Sequence, residues 1–150
     1  MFHNQATPLP EAIEQGLLPE FELFDNPITA GNGVIKIVFP EFTCLCPKTG
    51  YPDFGQIALY YLPNKSCIEL KSWKLYLNSF RMIGTFHEAV TNHLFSEIVE
   101  KLDPKWAMVV GDFFPRGNVN TTVVLETQTP RPQSADALIE VIKPHTRSFE

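Results

Sequence analysis

The chain has 150 residues, 44% hydrophobic and 19% charged, with a formal net charge of -5 at pH 7. That length suits one domain with a sizeable core, and the composition excludes a disordered chain. The acidic balance argues against direct nucleic-acid binding, and no apolar run approaches the roughly 18 residues of a membrane span. Three cysteines, an odd number, follow an N-terminus without a secretory pattern, so the expected setting is the reducing cytoplasm.

Residues 1–150 read as a single domain, with residues 1–30 as an N-terminal arm laid over the domain or over a neighbouring subunit. Within the arm, Pro10 to Gln15 is one or two helical turns, stopped by Gly16 and Pro19. Gly31-Asn-Gly33 is a turn before a strand, and Lys36 in place of a third glycine excludes a dinucleotide fingerprint. Val34–Phe39 is the first strand, rich in β-branched residues, and Gln56–Leu62 is the second. The two pair as a hairpin with a long loop around Cys46 between them.

Two helices follow. Leu70, Trp73, Leu77 and Phe80 mark the buried side of the first. Phe86, Val90, Leu94, Ile98 and Leu102 mark the second, with Phe95 and Val99 widening its stripe. Thr85 and Glu88 have capping-box spacing at its start, and Asp103-Pro104 ends it. Trp106–Phe114 is a third strand, Pro115–Asn118 a turn, and Val119–Leu125 a fourth strand closing a second hairpin. Residues 128–150 form a tail in which Asp136–Lys143 is a strand or a short helix. The order ββααββ is an α+β pattern: an antiparallel sheet with two helices on one face, its other face and edges open to assembly.

Chemistry concentrates in Pro40–Phe54. Cys46 is a candidate nucleophile and Asp53 a candidate proton carrier, with Lys48-Thr49-Gly50 as turn chemistry that folds one back on the other. Lys48 favours the thiolate. The plainer alternative is an inert cysteine and a turn aspartate. Lys71 and Lys74 share one side of the first helix and, with Arg81 and Arg116, form either a solvated basic face or a phosphate-binding edge. Glu88 is either a capping carboxylate or one that accepts two hydrogen bonds from a guanine-like edge, with His87 as proton donor or orienting group. Cys44, Cys46, Cys67 and His87 lack ordinary zinc spacing, so no metal is expected.

Together these motifs are more specific than any one alone. Pro40 to Phe54, Glu69-Leu-Lys-Ser-Trp-Lys-Leu-Tyr76, Ser79-Phe-Arg81, Phe86-His-Glu88 and Phe114-Pro-Arg-Gly117 resemble the NADPH-dependent 7-cyano-7-deazaguanine reductase family, in its short, single-module type. The resemblance runs in order over residues 34–125. It implies the tunnelling fold shared with GTP cyclohydrolase I, in which subunits join their sheets into a barrel with sites between them. It further implies a homo-oligomer, a decamer of two pentameric rings. The implied activity is reduction of the nitrile of 7-cyano-7-deazaguanine to an amine, in queuosine biosynthesis, with two NADPH per turnover and no metal.

Carried over residue by residue, the resemblance makes Cys46 the nucleophile, since it directly precedes Pro-Lys-Thr-Gly. Cys44 is then incidental. Asp53 matches the acid that protonates the nitrile nitrogen, His87 is counted with it among the catalytic residues, and Glu88 matches the carboxylate that binds the deazaguanine edge, with His87 beside it. Ile68, Glu69, Leu70, His87 and Glu88 match substrate contacts, and Leu70, Lys71, Lys74, Arg116 and Gly117 match cofactor contacts. Rival expectations are a zinc-dependent pterin or GTP cyclohydrolase, a non-catalytic purine- or pterin-binding oligomer, and an amidine-forming relative. Cys46 and Asp53 together disfavour the binder, and the intact Glu-Leu-Lys-Ser motif favours hydride chemistry.

Overall fold

The computed structural model describes residues 6–139. Four long strands carry the fold: β3 (Ile35–Leu45), β4 (Pro52–Leu62), β7 (Trp106–Arg116) and β8 (Val119–Glu126). Short strands β1 (Thr7–Pro8), β2 (Leu23–Asp25), β5 (Ser66–Ile68) and β6 (Ile83–Gly84) complete the set. The main sheet has the order β1-β6-β3-β4-β7-β8, and β2 pairs with β5 in a separate antiparallel ribbon. The architecture is α+β with an antiparallel-rich sheet, as the element order predicts. The expectation of a wholly antiparallel sheet is corrected at one edge, where β6 runs parallel to both β1 and β3.

The strands are longer than their β-branched runs, because pairing with a neighbour extends them through less favourable residues. β3 continues through Pro40 to Leu45 and β4 begins at Pro52, so the expected long loop around Cys46 shrinks to residues 46–51. Likewise the expected turn Pro115–Asn118 reduces to Gly117 and Asn118, since Arg116 still pairs with Val119. Both turn residues have positive φ (58° and 66°), the requirement of the tight hairpin turn whose twist matches its strands.

Helices α2 (Leu70–Asn78) and α3 (His87–Leu102) cover one face. Trp73, Tyr76 and Leu77 of α2 and Val90, Leu94, Ile98 and Leu102 of α3 pack there on Ile57, Leu59, Tyr61, Ala107 and Val109. Phe80 joins them from a 3-10 turn (Ser79–Met82). Helix α1 (Leu9–Glu14) buries Leu9 and Ala12 against the same core.

Three helix expectations are corrected. Leu70, at the first helical position, projects off the end of the sheet and is 59% exposed. Phe86 precedes α3 rather than opening its stripe, and Val99 turns to solvent. The Thr85–Glu88 capping box does not form. The Thr85 main chain donates to Leu45 (3.0 Å) and its hydroxyl to the Phe86 carbonyl (3.1 Å), so it belongs to the strand edge and cannot cap.

The opposite face is not open. Ala58, Tyr60, Trp106, Met108 and Val110 form a second apolar cluster closed by Ala135 of α4 (Gln133–Ile139). The tail reaches this face because Glu126 accepts from Trp106 Nε1 (2.8 Å) and from Arg131 through both carboxylate oxygens (2.7 and 2.6 Å). The expected Asp136–Lys143 segment is thus helical to Ile139, and its remainder lies outside the described residues. Among the described residues no helix is long and apolar enough to cross a membrane.

Gly111 of β7 faces Thr91 of α3, and a Cβ there falls 2.5 Å from Thr91 Oγ1 and 3.0 Å from the Phe113 ring. Gly111→Ala should therefore lower stability by about 1–3 kcal/mol through overpacking. Urea unfolding checks it, and an unchanged midpoint would mean that α3 is free to shift on the sheet.

Candidate active site

Side chains alternate across a strand, so β4 sends Asp53, Ile57, Leu59 and Tyr61 to the helix-covered face. Odd-numbered Ile37 and Phe39 of β3 face the same way. At Pro40-Glu41 the register slips by one residue, from Phe39↔Ile57 to Phe42↔Gly55, and Phe42 and Cys44 then take the inward positions. A bulge of this kind inverts the parity of everything after it. Cys44 thus lies directly opposite Asp53, and Cys46 follows on the same side. A second one-residue slip, between Phe113 and Arg116 of β7, spans Pro115. It turns Arg116 toward Asp53. The site is assembled by two bulges, each at a proline that could not have served a regular ladder.

Cys46 opens a turn closed by its own main chain. Its N–H donates to the Tyr51 carbonyl and its carbonyl accepts from Gly50 N–H, both at 2.8 Å. Gly50 takes a φ of 72°, which lets this turn close in six residues. Burial opposes ionisation of Cys46, but the Thr49 hydroxyl and the main-chain N–H groups of Thr49 and Lys48 hydrogen-bond its sulfur and hold the thiol below its usual value. Cys44 is the reverse. Burial, with the Asp53 carboxylate and Cys46 nearby, pushes it up to about 12, and it stays a small core side chain.

Asp53 is buried, and a buried carboxylate requires partners. Arg116 Nη1 bonds Oδ1, and His87 Nε2 lies 3.2 Å from Oδ2. Arg116 Nη2 also donates to Thr49 Oγ1 (3.2 Å), and its guanidinium lies over the Tyr51 ring. His87, at the first position of α3, stacks flat on Phe113, with ring centroids 3.8 Å apart and planes within 3°. Its ring is thereby fixed edge-on to Asp53. A cleft of about 360 Å³ joins Cys46, Thr49, Asp53, His87, Glu88 and Arg116. Glu88 is exposed at its rim.

The other expected site residues lie elsewhere in the chain. Ile68, Glu69 and Leu70 line a separate hollow with Phe24, Ile35 and Tyr61. It sits at the opposite end of the β3–β4 hairpin, about 30 Å from the Cys46 turn by strand length. Glu69 is the N-cap of α2, accepting from Lys71 N (2.9 Å) and Ser72 N (2.7 Å), and these bonds hold its carboxyl below the usual range. Glu88 caps nothing, since α3 begins without a side-chain cap, and Glu69 takes a capping role on the other helix instead. Lys71 and Lys74 are exposed on α2, and Arg81 lines a further hollow with Glu41, Phe54 and Phe114. Gly117 lies at the hairpin turn with open space around it. Among the described residues no three His, Cys, Asp or Glu side chains come together as a metal site.

Sequence reasoning missed the Thr49 hydroxyl, the Phe113 stack and Arg116 as the partner of Asp53. Only the two prolines, which mark the bulges, announce any of these in the sequence.

A family model described as QueF-like protein matches residues 52–132. The NADPH-dependent 7-cyano-7-deazaguanine reductase of Campylobacter lari is 53% identical over 100 residues, 67% of this chain and 79% of that protein. The protein of the same name from Methylobacillus flagellatus is 48% identical over 121 residues, 79% of this chain and 87% of the relative. The crystal structure of the archaeosine synthase QueF-Like in the apo form superposes with a TM-score of 0.61 at 17% identity, over 68% of this chain and all of that one, and shows a shared fold. The chain belongs to the QueF-like family.

The thiol environments make a direct prediction. Iodoacetamide should label Cys46 at least about tenfold faster than Cys44 or Cys67 near pH 8, because thiolate is the reacting form and the other two are buried. Peptide mass mapping measures it, and comparable labelling of Cys44 would remove the distinction.

Proposed function

We propose that this member of the QueF-like family reduces the nitrile of 7-cyano-7-deazaguanine to the primary amine of 7-aminomethyl-7-deazaguanine, in queuosine biosynthesis in the cytoplasm. The observation that carries the reading is a thiol held low by three hydrogen-bond donors, sharing one cleft with a buried Asp53 that His87 and Arg116 engage. About half of the aligned residues are identical to reductases of that name.

The Cys46 sulfur adds to the nitrile carbon. One carbon–nitrogen π bond opens toward nitrogen, which takes a proton from Asp53, and a covalent thioimide forms. Protonation at that moment spares the nitrogen a full negative charge. A carboxylate paired with Arg116 carries no proton of its own, so Asp53 takes one from protonated His87, 3.2 Å away, and passes it to the nitrogen. Glu88 at the rim accepts hydrogen bonds from the N–H groups of the deazaguanine edge. NADPH, when bound, would supply one hydride from each of two molecules, the first displacing the Cys46 thiolate from the thioimide carbon and the second, together with a proton, completing the amine. Exposed Leu70, Lys71 and Lys74 fit a phosphate-bearing cofactor, and Gly117 leaves room for one beside Arg116. The closed site must hold the imine away from water.

Ile68, Glu69 and Leu70 are too far from Cys46 to meet the same substrate within one chain. We therefore infer a tunnelling-fold assembly in which neighbouring copies complete each site, a decamer of two pentameric rings. Light scattering after gel filtration should give a mass of about ten chains, and a monomer active at the same concentration would remove the shared site.

Intact mass tests the chemistry. Protein mixed with 7-cyano-7-deazaguanine alone should gain one substrate mass per chain, and NADPH should discharge it with cofactor oxidation. Cys46→Ala should abolish both the adduct and turnover. An adduct that NADPH leaves in place would favour amidine formation, and an adduct in Cys46→Ala would move the nucleophile elsewhere.

A further inference from the structure

The Cys46 turn carries the Thr49 hydroxyl, whose orientation is fixed by two donors. Thr49 Oγ1 accepts from Tyr51 N–H and from Arg116 Nη2, each at 3.2 Å. A hydroxyl oxygen has two lone pairs and one hydrogen. With both lone pairs occupied, its hydrogen has one direction left, and Cys46, three residues back in the same turn, lines the same cleft. Thr49 is therefore a fixed donor rather than a rotor. Its orientation depends on Arg116, which also binds Asp53.

Resting on the reading of Cys46 as nucleophile, we propose that Thr49 is a positioning residue for it: its hydroxyl, fixed as a donor by Arg116 and the Tyr51 main chain, hydrogen-bonds the sulfur and aims it into the cleft. The sulfur is half-buried and the donor close, so the charge-assisted hydrogen bond is shielded from bulk water on one side only. The other charged groups around the cleft are Asp53 on β4, His87 and Glu88 on α3, Arg116 on β7 and Lys48 in the turn itself. Of these, Asp53 opposes the thiolate and raises the thiol, so the turn's donors work against its charge. Arg116 links the two halves of the site. It grips the carboxylate that relays a proton from His87 and orients the hydroxyl that faces the sulfur.

The test reads the thiolate in free protein, without substrate or NADPH. Alkylation of Cys46 by iodoacetamide is followed against pH in the parent, Thr49→Val and Thr49→Ser, with the labelled peptide assigned by mass. Thr49→Val keeps the shape and loses the hydroxyl. Its profile should move to higher pH and its rate near pH 7 should fall about three- to tenfold, the lower part of what a hydrogen bond to a charged acceptor gives at a partly open site. Thr49→Ser, which keeps the hydroxyl, should follow the parent. A Thr49→Val profile that coincides with the parent's overturns the proposal. So does an equal displacement of Thr49→Ser, which would assign the effect to the methyl group and its packing. Thr49 is exposed, and Thr49→Ala supplies a second hydroxyl-free variant that must shift in the same direction. Failure of the nitrile reading is separate: it appears as a parent protein that forms no adduct with 7-cyano-7-deazaguanine, whatever the alkylation profiles show.

Discussion

The site depends on two broken rules of strand alternation. In a regular strand, inward positions recur every second residue, so a chain that starts with Ile37 and Phe39 facing the helices would turn Cys44 and Cys46 away from them. The bulge at Pro40-Glu41 shifts the count by one and returns both cysteines to the helix side. The slip beyond Phe113 does the same for Arg116. Neither proline has an N–H to give to a ladder, so each sits where the ladder is already interrupted. Regular pairing elsewhere along β3, β4 and β7 makes these interruptions rigid. The carboxylate and the guanidinium are then held by sheet, and the thiol by the first residue of a tight turn bonded back to Tyr51, which suits a reaction needing near-fixed distances.

The carboxylate itself is a buried charge with partners on both oxygens. Removing an unpaired carboxylate from water is costly, and Arg116 and His87 offset that cost at Asp53. The stack of His87 on Phe113 matters because it fixes the ring plane and hence the direction of Nε2. Thr91 reinforces it by donating to the His87 carbonyl at 2.7 Å, and Gly111 opposite Thr91 gives α3 room to approach β7. Packing of one helix on one strand thereby sets the geometry of the His87–Asp53 contact.

Much of this is legible in the sequence, and the exceptions have a common cause. The element order, the faces of Trp73, Leu77, Val90, Leu94 and Ile98, and the Cys46–Asp53 segment follow from periodicity and motif. What fails depends on which of several capable groups is free in three dimensions. Thr85 has the chemistry of a cap but is held at the strand edge by Leu45, while Glu69 caps α2 without a matching signal at the expected place. Arg116 suits a phosphate on its own, yet a buried carboxylate is nearer. The second face is closed by Ala135 because Trp106, Glu126 and Arg131 form a chain of hydrogen bonds that no local pattern encodes.

Dividing the motifs between the two ends of one hairpin has a physical consequence. A strand pair of eleven residues is long and stiff, and no side chain spans its length. The Cys46 end carries reactive groups and proton carriers, whereas the Ile68 end carries apolar walls, a main-chain edge and the lysines of α2. Each end is chemically incomplete for binding a polar heterocycle and a phosphate-bearing cofactor together. Exposed Phe24 and Leu70 at one end, and Tyr51, Phe54 and Phe86 at the other, are large apolar groups that a lone chain leaves in water. Burying them between copies stabilises assembly at about 25 cal/mol per Å². In the assembly proposed above, the same contact would bring the Ile68 end of one copy against the Cys46 end of another, so that burial of these apolar groups and completion of the site would draw on one set of surfaces.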